Sequence, residues 1–396
     1  MFFKQFYDNN LSQASYLVGC QRTGEAIIID PVRDLTKYME VADSEGFTIT
    51  QAAETHIHAD FASGIRDVAE QLNANVYVSG EGDDELSYRN MPEQTHFVKH
   101  QDIIHVGNIK LEVLHTPGHT PESISFLLTD EGGGSSVPMG LFSGDFVFVG
   151  DIGRPDLLEK SVQMEGSTEV SAKQMYQSIE SVKDLPDYIQ IWPGHGAGSP
   201  CGKALGAVPM STLGYEKINN WAFNVTDESK FVETLTSNQP APPHHFAQMK
   251  KINQFGMNMY QPYDVFPSLD NARIAFDLRS KEAFHGGHTE GTINIPYNQN
   301  FINQIGWYLD YENSIDLIGD KSTVEQAAHT LQLIGFDNVA GYRLPKSEIL
   351  TQSIHSVDMT GKEEYILDVR NEEEWNNGHL DQAVNIPVSY THLTLP

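Results

Sequence analysis

The 396-residue sequence predicts an α/β protein of two or three domains, and three observations predict it. Apolar strand-like runs alternate with helical patterns through the first half. The length exceeds the roughly 250 residues that a single core usually fills. A pattern of about twenty residues recurs near the C-terminus at a spacing of 91.

The elements follow in order. A-S-Y-L-V-G-C, E-A-I-I-I-D and F-T-I-T-Q-A-A-E-T read as strands, S-G-I-R-D-V-A-E-Q-L as a helix and N-V-Y-V-S as the next strand. Further strands are expected at I-K-L-E-V-L-H, S-I-S-F-L-L-T and M-G-L-F-S-G-D, with E-G-G-G-S-S between the last two as a hairpin tip. A helix over 170–184 precedes the strand D-Y-I-Q-I-W and the loop P-G-H-G. The segment T-S-N-Q-P-A-P-P-H-H marks a domain boundary, because adjacent prolines resist both helix and central strand. His244 and His245 within it read as a solvated linker pair.

Charge narrows the partners. Lys and Arg total 25 against 54 Asp and Glu, a net charge of −29 that argues against a nucleic-acid backbone or an anionic membrane surface. No apolar run approaches the roughly 18 residues of a spanning helix, and M-F-F-K-Q-F-Y-D lacks the features of a signal peptide, so a cytoplasmic protein is expected. Cys20 and Cys201 alone make no disulfide framework and fit a reducing compartment. Cys20, inside a strand, is expected in the core. A homo-oligomer is expected on the general habit of soluble enzymes.

Four short polar loops each end an apolar strand: T-H-I-H-A-D-F at 55–61, L-H-T-P-G-H-T-P presenting His119, L-F-S-G-D-F presenting Asp145, and W-P-G-H-G presenting His195. An H-x-H pair alone is ordinarily a surface or core pair. Together the loops place candidate ligands at one sheet edge.

These residues, in this order, resemble the metallo-β-lactamase superfamily, whose usual first motif is T-H-x-H-x-D-H. The resemblance covers roughly the first 240 residues and implies an αββα sandwich. In the binuclear hydrolases of that superfamily the final histidine of the motif helps hold a second metal, and here that position is Phe61. What remains is His56, His119 and Asp145, two imidazoles and a carboxylate, the set found in non-haem Fe(II) oxygenases. F-S-G-D-F-V-F-V-G-D-I-G-R-P-D-L and G-S-P-C-G-K-A-L-G-A-V-P further resemble bacterial rhodanese-fused persulfide dioxygenases.

That resemblance implies one Fe(II) per chain on His56, His119 and Asp145, with His58, Asp60 and His195 around them orienting the ligands. It implies oxidation of a small-molecule thiol persulfide by O2 to sulfite and free thiol; the carrier thiol stays open. Arg154 is expected either to hold an anionic group of that thiol or to cap a loop as an exposed arginine. Cys201 either lines the pocket mouth and handles sulfur as a thiolate or is a small core residue. A zinc-dependent thioester hydrolase of glyoxalase II type and a non-catalytic persulfide carrier or sensor working through Cys201 are the alternatives.

The C-terminal repeat pairs Asp277, Arg279, Glu282, Gly287, His288, Asn294, Ile295 and Pro296 with Asp368, Arg370, Glu373, Gly378, His379, Asn385, Ile386 and Pro387, without a gap. It resembles the rhodanese domain, whose catalysis needs a cysteine in a tight loop of amide donors. No cysteine follows residue 201, and S-I-D-L-I runs into Gly319-Asp320-Lys321-Ser322 where the family carries its Cys-x-x-G-x-R loop. The expected organisation is a lactamase-like domain over 1–240, a rhodanese-like domain without its catalytic cysteine over 260–350, the start of a second over 358–388, and a non-native tail over 389–396. A complete parent protein is expected to carry the missing cysteine downstream and to make thiosulfate there.

Overall fold

A computed structural model describes residues 1–82, 86–157, 159, 166–203, 205–237, 239, 242–268, 273–345, 352–353, 366–370 and 372–387. The chain divides into two units, Met1–Tyr263 with His329–Phe336 and Asp264–Ala328 with Asp337–Pro396.

In the first unit one six-stranded sheet holds β1 (Phe2–Asp8), β2 (Gln13–Gly19), β3 (Glu25–Ile29), β4 (Thr48–Ala53), β5 (Asn75–Ser79) and β6 (Thr95–Val98) in sequence order. β1, β2 and β3 are antiparallel neighbours, whereas β3 to β6 run parallel. Parallel neighbours need crossovers, and the helices Thr36–Glu45 and Ile65–Leu72 supply two of them. The second sheet holds β7 (Ile103–Val106), β8 (Ile109–His115), β9 (Ile124–Asp130), β10 (Gly140–Gly144), β11 (Gln190–Pro193) and β12 (Ser211–Thr212), in the order β12-β11-β10-β9-β8-β7.

Period-two burial joins the sheets. Ala14, Tyr16 and Val18, Ile27 and Ile29, Ile109, Leu111 and Val113, and Ile124, Phe126 and Leu128 all enter one apolar cluster with Phe142 and Trp192. The other face of the second sheet, through Leu127, Leu141, Ile189 and Ile191, packs on Ala172, Met175, Ile179 and Val182 of the helix Ser167–Val182. Those helical residues recur at intervals of three and four, the spacing of one helix face. Strand direction then places the loops. β9 is antiparallel to both β8 and β10, and β10 is parallel to β11, so β8, β10 and β11 end on the same edge. The amide of Ile124 donates to the Thr55 carbonyl at 2.8 Å, which ties the loop after β4 to that edge.

The expected linker is not one. The helix His245–Phe255 follows Pro242 and Pro243 and buries His245, Phe246, Met249, Lys250 and Asn253 within the first unit. Paired prolines just before a helix start it, because their missing amides would be unpaired there in any case. His244 is exposed, but His245 is buried, and burial pushes its imidazole down to about 4. The first unit therefore extends past residue 240 to Tyr263 and takes back 329–336.

The second unit has a four-stranded parallel sheet of β13 (Ala275–Asp277), β14 (Ile293–Asn294), β15 (Ile315–Ile318) and β16 (Val339–Arg343), ordered β14-β13-β15-β16, and a parallel pair of β17 (Ile366–Asp368) and β18 (Ala383–Asn385). The sequence repeat is a structural one. Arg279 Nη2 donates to Asp277 Oδ2 at 2.6 Å, and Arg370 Nη2 to Asp368 Oδ2 at 2.6 Å. Asn294 bridges the carbonyls of Asp277 and Arg279 as Asn385 bridges those of Asp368 and Arg370. Phe284 stacks on His288 and Trp375 on His379, with centroids 3.9 and 3.5 Å apart. The expected tail at 389–396 lies outside the described residues. No helix among the described residues is long and apolar enough to cross a membrane.

Candidate metal centre

Asp30, at the end of β3, builds the first wall. It holds a left-handed backbone, φ 51°, unusual for a residue other than glycine. Its carboxylate accepts the Thr55 amide at 2.7 Å and the Thr55 hydroxyl at 2.9 Å, which fixes the start of the T-H-I-H-A-D-F loop. The same hydroxyl lies 3.0 Å from His56 Nδ1. Glu122 accepts the Ile57 amide at 3.0 Å, and Asn253 donates to the carbonyls of His58 and Phe61 at 2.8 and 2.7 Å.

Each remaining imidazole is steered in the same way. His119 Nδ1 lies 2.9 Å from the Arg154 carbonyl, and His195 Nδ1 lies 3.0 Å from the Ser12 carbonyl. A carbonyl only accepts, so both rings carry a proton on Nδ1 and turn Nε2 toward the site. The Nε2 atoms converge on Asp145. Oδ2 lies 3.4 Å from His119 Nε2 and 3.8 Å from His56 Nε2, while Oδ1 lies 3.3 Å from His195 Nε2. Small residues permit the approach: a Cβ on Gly194 would meet Asp145 Oδ1 at 2.8 Å, and Gly144 turns with φ 51° where a Cβ would strike Thr55.

Two trios result. His56, His119 and Asp145 form one and Asp60, His195 and Cys201 the other, each with ligand atoms within 4.8 Å of one another. Nε2 of His56, His119 and His195 and both oxygens of Asp60 and Asp145 are buried without a hydrogen-bond partner. Orphaned polar atoms at this density are costly unless something binds them. Burial holds the His56 and His119 imidazoles well below their usual range, so they are neutral, the form that binds a metal. Neutral imidazoles beside a carboxylate are the donor chemistry of a divalent transition metal, and the first trio fits one.

His58 turns elsewhere. Its Nε2 lies 3.3 Å from Asp30 and 3.8 Å from Glu54. Burial alone would lower its pKa, but Asp30, Glu54 and Asp60 outweigh it and push the imidazole up to about 9. Phe61 is fully buried with its ring centroid 4.4 Å from that of His58.

Two expectations are corrected. Arg154 is neither substrate-facing nor exposed: it is fully buried, donates to both Asp156 oxygens at 2.7 and 2.8 Å and to the Pro200 carbonyl at 3.1 Å. Its amide also donates to the Cys201 carbonyl, so it braces His119 against the Cys201 loop. Cys201 does not line a pocket mouth. It is 1% exposed, and burial followed by the neighbouring Asp145 and Asp60 charges pushes its thiol well above the usual range, against a free thiolate. Cys20 is buried, as expected, with Sγ accepting the Asn108 amide at 3.3 Å. Asp30, Glu122, Lys250 and Asn253 also build the site, although none lies in a liganding motif. The signal for the last two was available, since Pro-Pro before and Gly256 after 245–255 bracket a helix.

Comparison places this architecture in a family. The profile of the metallo-β-lactamase superfamily matches residues 8–195, and that of the rhodanese-like domain matches 351–396. A crystal structure of a metallo-β-lactamase from Staphylococcus aureus subsp. aureus COL is 73% identical, with a TM-score of 0.84 over 87% of this chain and 99% of that one. The structure of ETHE1 from Myxococcus xanthus is 28% identical, with a TM-score of 0.51 over 64% of this chain and 98% of that one. Hydroxyacylglutathione hydrolase of Dictyostelium discoideum is 29% identical over 252 residues, 62% of this chain and 82% of that one. The chain belongs to the metallo-β-lactamase superfamily and carries a C-terminal rhodanese-like domain.

Proposed function

We propose that the first unit is a mononuclear Fe(II) persulfide dioxygenase. The observation that carries this reading is Phe61, buried against His58 at the position where two-metal relatives have a histidine, beside an intact two-histidine, one-carboxylate trio of His56, His119 and Asp145. The likeness to ETHE1 supports it. Iron held there would supply open positions for sulfur and oxygen together with redox chemistry, which zinc lacks. The overall change balances as RSSH, O2 and water giving RSH, sulfite and two protons. The protein's share is orientation. Thr55 and the Arg154 carbonyl aim the two imidazoles, Asp145 is walled by Gly194, and the apolar Phe61 and Phe148 lie against the neighbouring His58 and His195 rings.

In the second unit β15 leads into Gly319-Asp320-Lys321-Ser322, which offers no sulfur nucleophile, so we assign this module a non-catalytic role.

One observation favours a second reading. Asp60, His195 and Cys201 form a further donor trio, and a second metal there would suit a zinc thioester hydrolase like the hydroxyacylglutathione hydrolase this chain resembles. Burial of Cys201 removes the support for a carrier or sensor that works through an exposed thiolate. Assaying one preparation, loaded with Fe(II) or with Zn(II), for sulfite release from a persulfide and for thioester cleavage separates the two enzymes. Sulfite from the iron form alone is expected; thioester cleavage by a zinc form holding two metals per chain would overturn the proposal.

A further inference from the structure

The helix His245–Phe255 lays one face over the T-H-I-H-A-D-F loop. Phe246 packs in one cluster with Ala59, Phe148 and Cys201, and Lys250 and Asn253 follow four and seven positions later on the same face. Asn253 is bonded to the His58 and Phe61 carbonyls, which fixes the helix over the loop. Lys250 is 5% exposed, and its ammonium donates to the Ile57 carbonyl at 3.3 Å, one residue from His56. Among the described residues it has no other hydrogen-bond or ion-pair partner, although an ammonium carries three donors. The ammonium therefore lies buried beside the metal loop; burial lowers its pKa, and the buried Glu122 carboxylate is the foremost counter-charge acting against that shift. After Glu122, its charge is coupled to Cys201, Asp145 and Asp60, and also to His56 and His119.

The Asp60, His195 and Cys201 trio is the place where that charge matters. It offers carboxylate, imidazole and thiol, donors suited to zinc or cobalt, with Cys201 as a third donor beside Asp60 and His195. We infer that Lys250 keeps this trio closed to a divalent cation, its ammonium providing the positive charge that a second metal provides in two-metal relatives. A cation entering there must expel the Cys201 proton to solvent and sit near a like charge in a low-dielectric interior. The inference rests on the first trio being a metal centre.

The test is a Co(II) titration of chelator-stripped full-length protein, read by bound metal per chain and by thiolate-to-cobalt charge-transfer absorption. Wild type is expected to bind one equivalent without the thiolate band. Lys250→Met is expected to bind two and to gain the band, which Lys250→Met with Cys201→Ser loses, while Lys250→Arg stays at one. A wild type that takes two equivalents with the thiolate band overturns the inference whatever the variants do. A folded Lys250→Met that stays at one also overturns it, with Lys250→Gln as the alternative neutral variant. A wild type that binds no cobalt contradicts the metal centre itself, and this inference with it.

Discussion

Arg154 grips Asp156 through two parallel hydrogen bonds, Nε to Oδ1 at 2.7 Å and Nη2 to Oδ2 at 2.8 Å, both residues being buried. The pair holds the backbone whose carbonyl aims His119. Asp156→Asn breaks the fork and lets that carbonyl drift, so metal affinity is expected to fall about 10- to 100-fold, the usual effect of losing a group that orients a ligand. Metal-competition titration checks it. A changed KM with unchanged metal affinity would restore Arg154 as a substrate contact.

Asn253 satisfies three backbone groups of the metal loop: the carbonyls of His58 and Phe61 and the Ser63 amide, which it accepts at 2.9 Å. Asn253→Ala leaves buried partners unpaired at about 1–3 kcal/mol each. A loss of roughly 3 kcal/mol or more in denaturant unfolding is expected, larger than a surface substitution gives.

Burial pushes the Asp67 carboxyl up to about 6, although it accepts the Tyr260 amide at 2.7 Å. An unfolded aspartate titrates near 3.9, about two units lower. The folded state therefore binds this proton more tightly; the contribution is fully present below about pH 4 and is lost as pH rises through about 6. Asp67→Asn keeps an acceptor for Tyr260. It is expected to raise stability at pH 8 by on the order of 2 kcal/mol and to leave it nearly unchanged at pH 4. Thermal unfolding at the two pH values reads the difference.

The loop after β15 holds Asp320 and Ser322 and no cysteine. A serine or aspartate oxygen cannot carry sulfane sulfur as a persulfide. Cyanide-acceptor assays of this chain with thiosulfate are therefore expected to give no thiocyanate above background.

Much of this was legible locally. His56, His119, Asp145 and His195 each follow a strand whose apolar run is visible in the sequence; strand direction carries the last three to one edge of the second sheet, and the Ile124–Thr55 hydrogen bond brings the loop after β4 to it. The 91-residue repeat was equally plain, down to the Asp277–Arg279 and Asp368–Arg370 forks. Burial was not legible. Arg154 and Cys201 sit in polar, glycine-rich stretches that look solvated, and only the packing of distant segments encloses them. Lys250 was hidden for a similar reason: the prolines before it read as a linker, whereas they start a helix that covers the metal loop.

Oxygen uptake tests the central claim most directly: anaerobically prepared, Fe(II)-loaded protein receives a small-molecule persulfide, with a zinc-loaded sample beside it. The account predicts rapid uptake with iron alone, one sulfite released for each O2 consumed, and loss of both in His119→Ala. No uptake from protein that holds one iron per chain would contradict it.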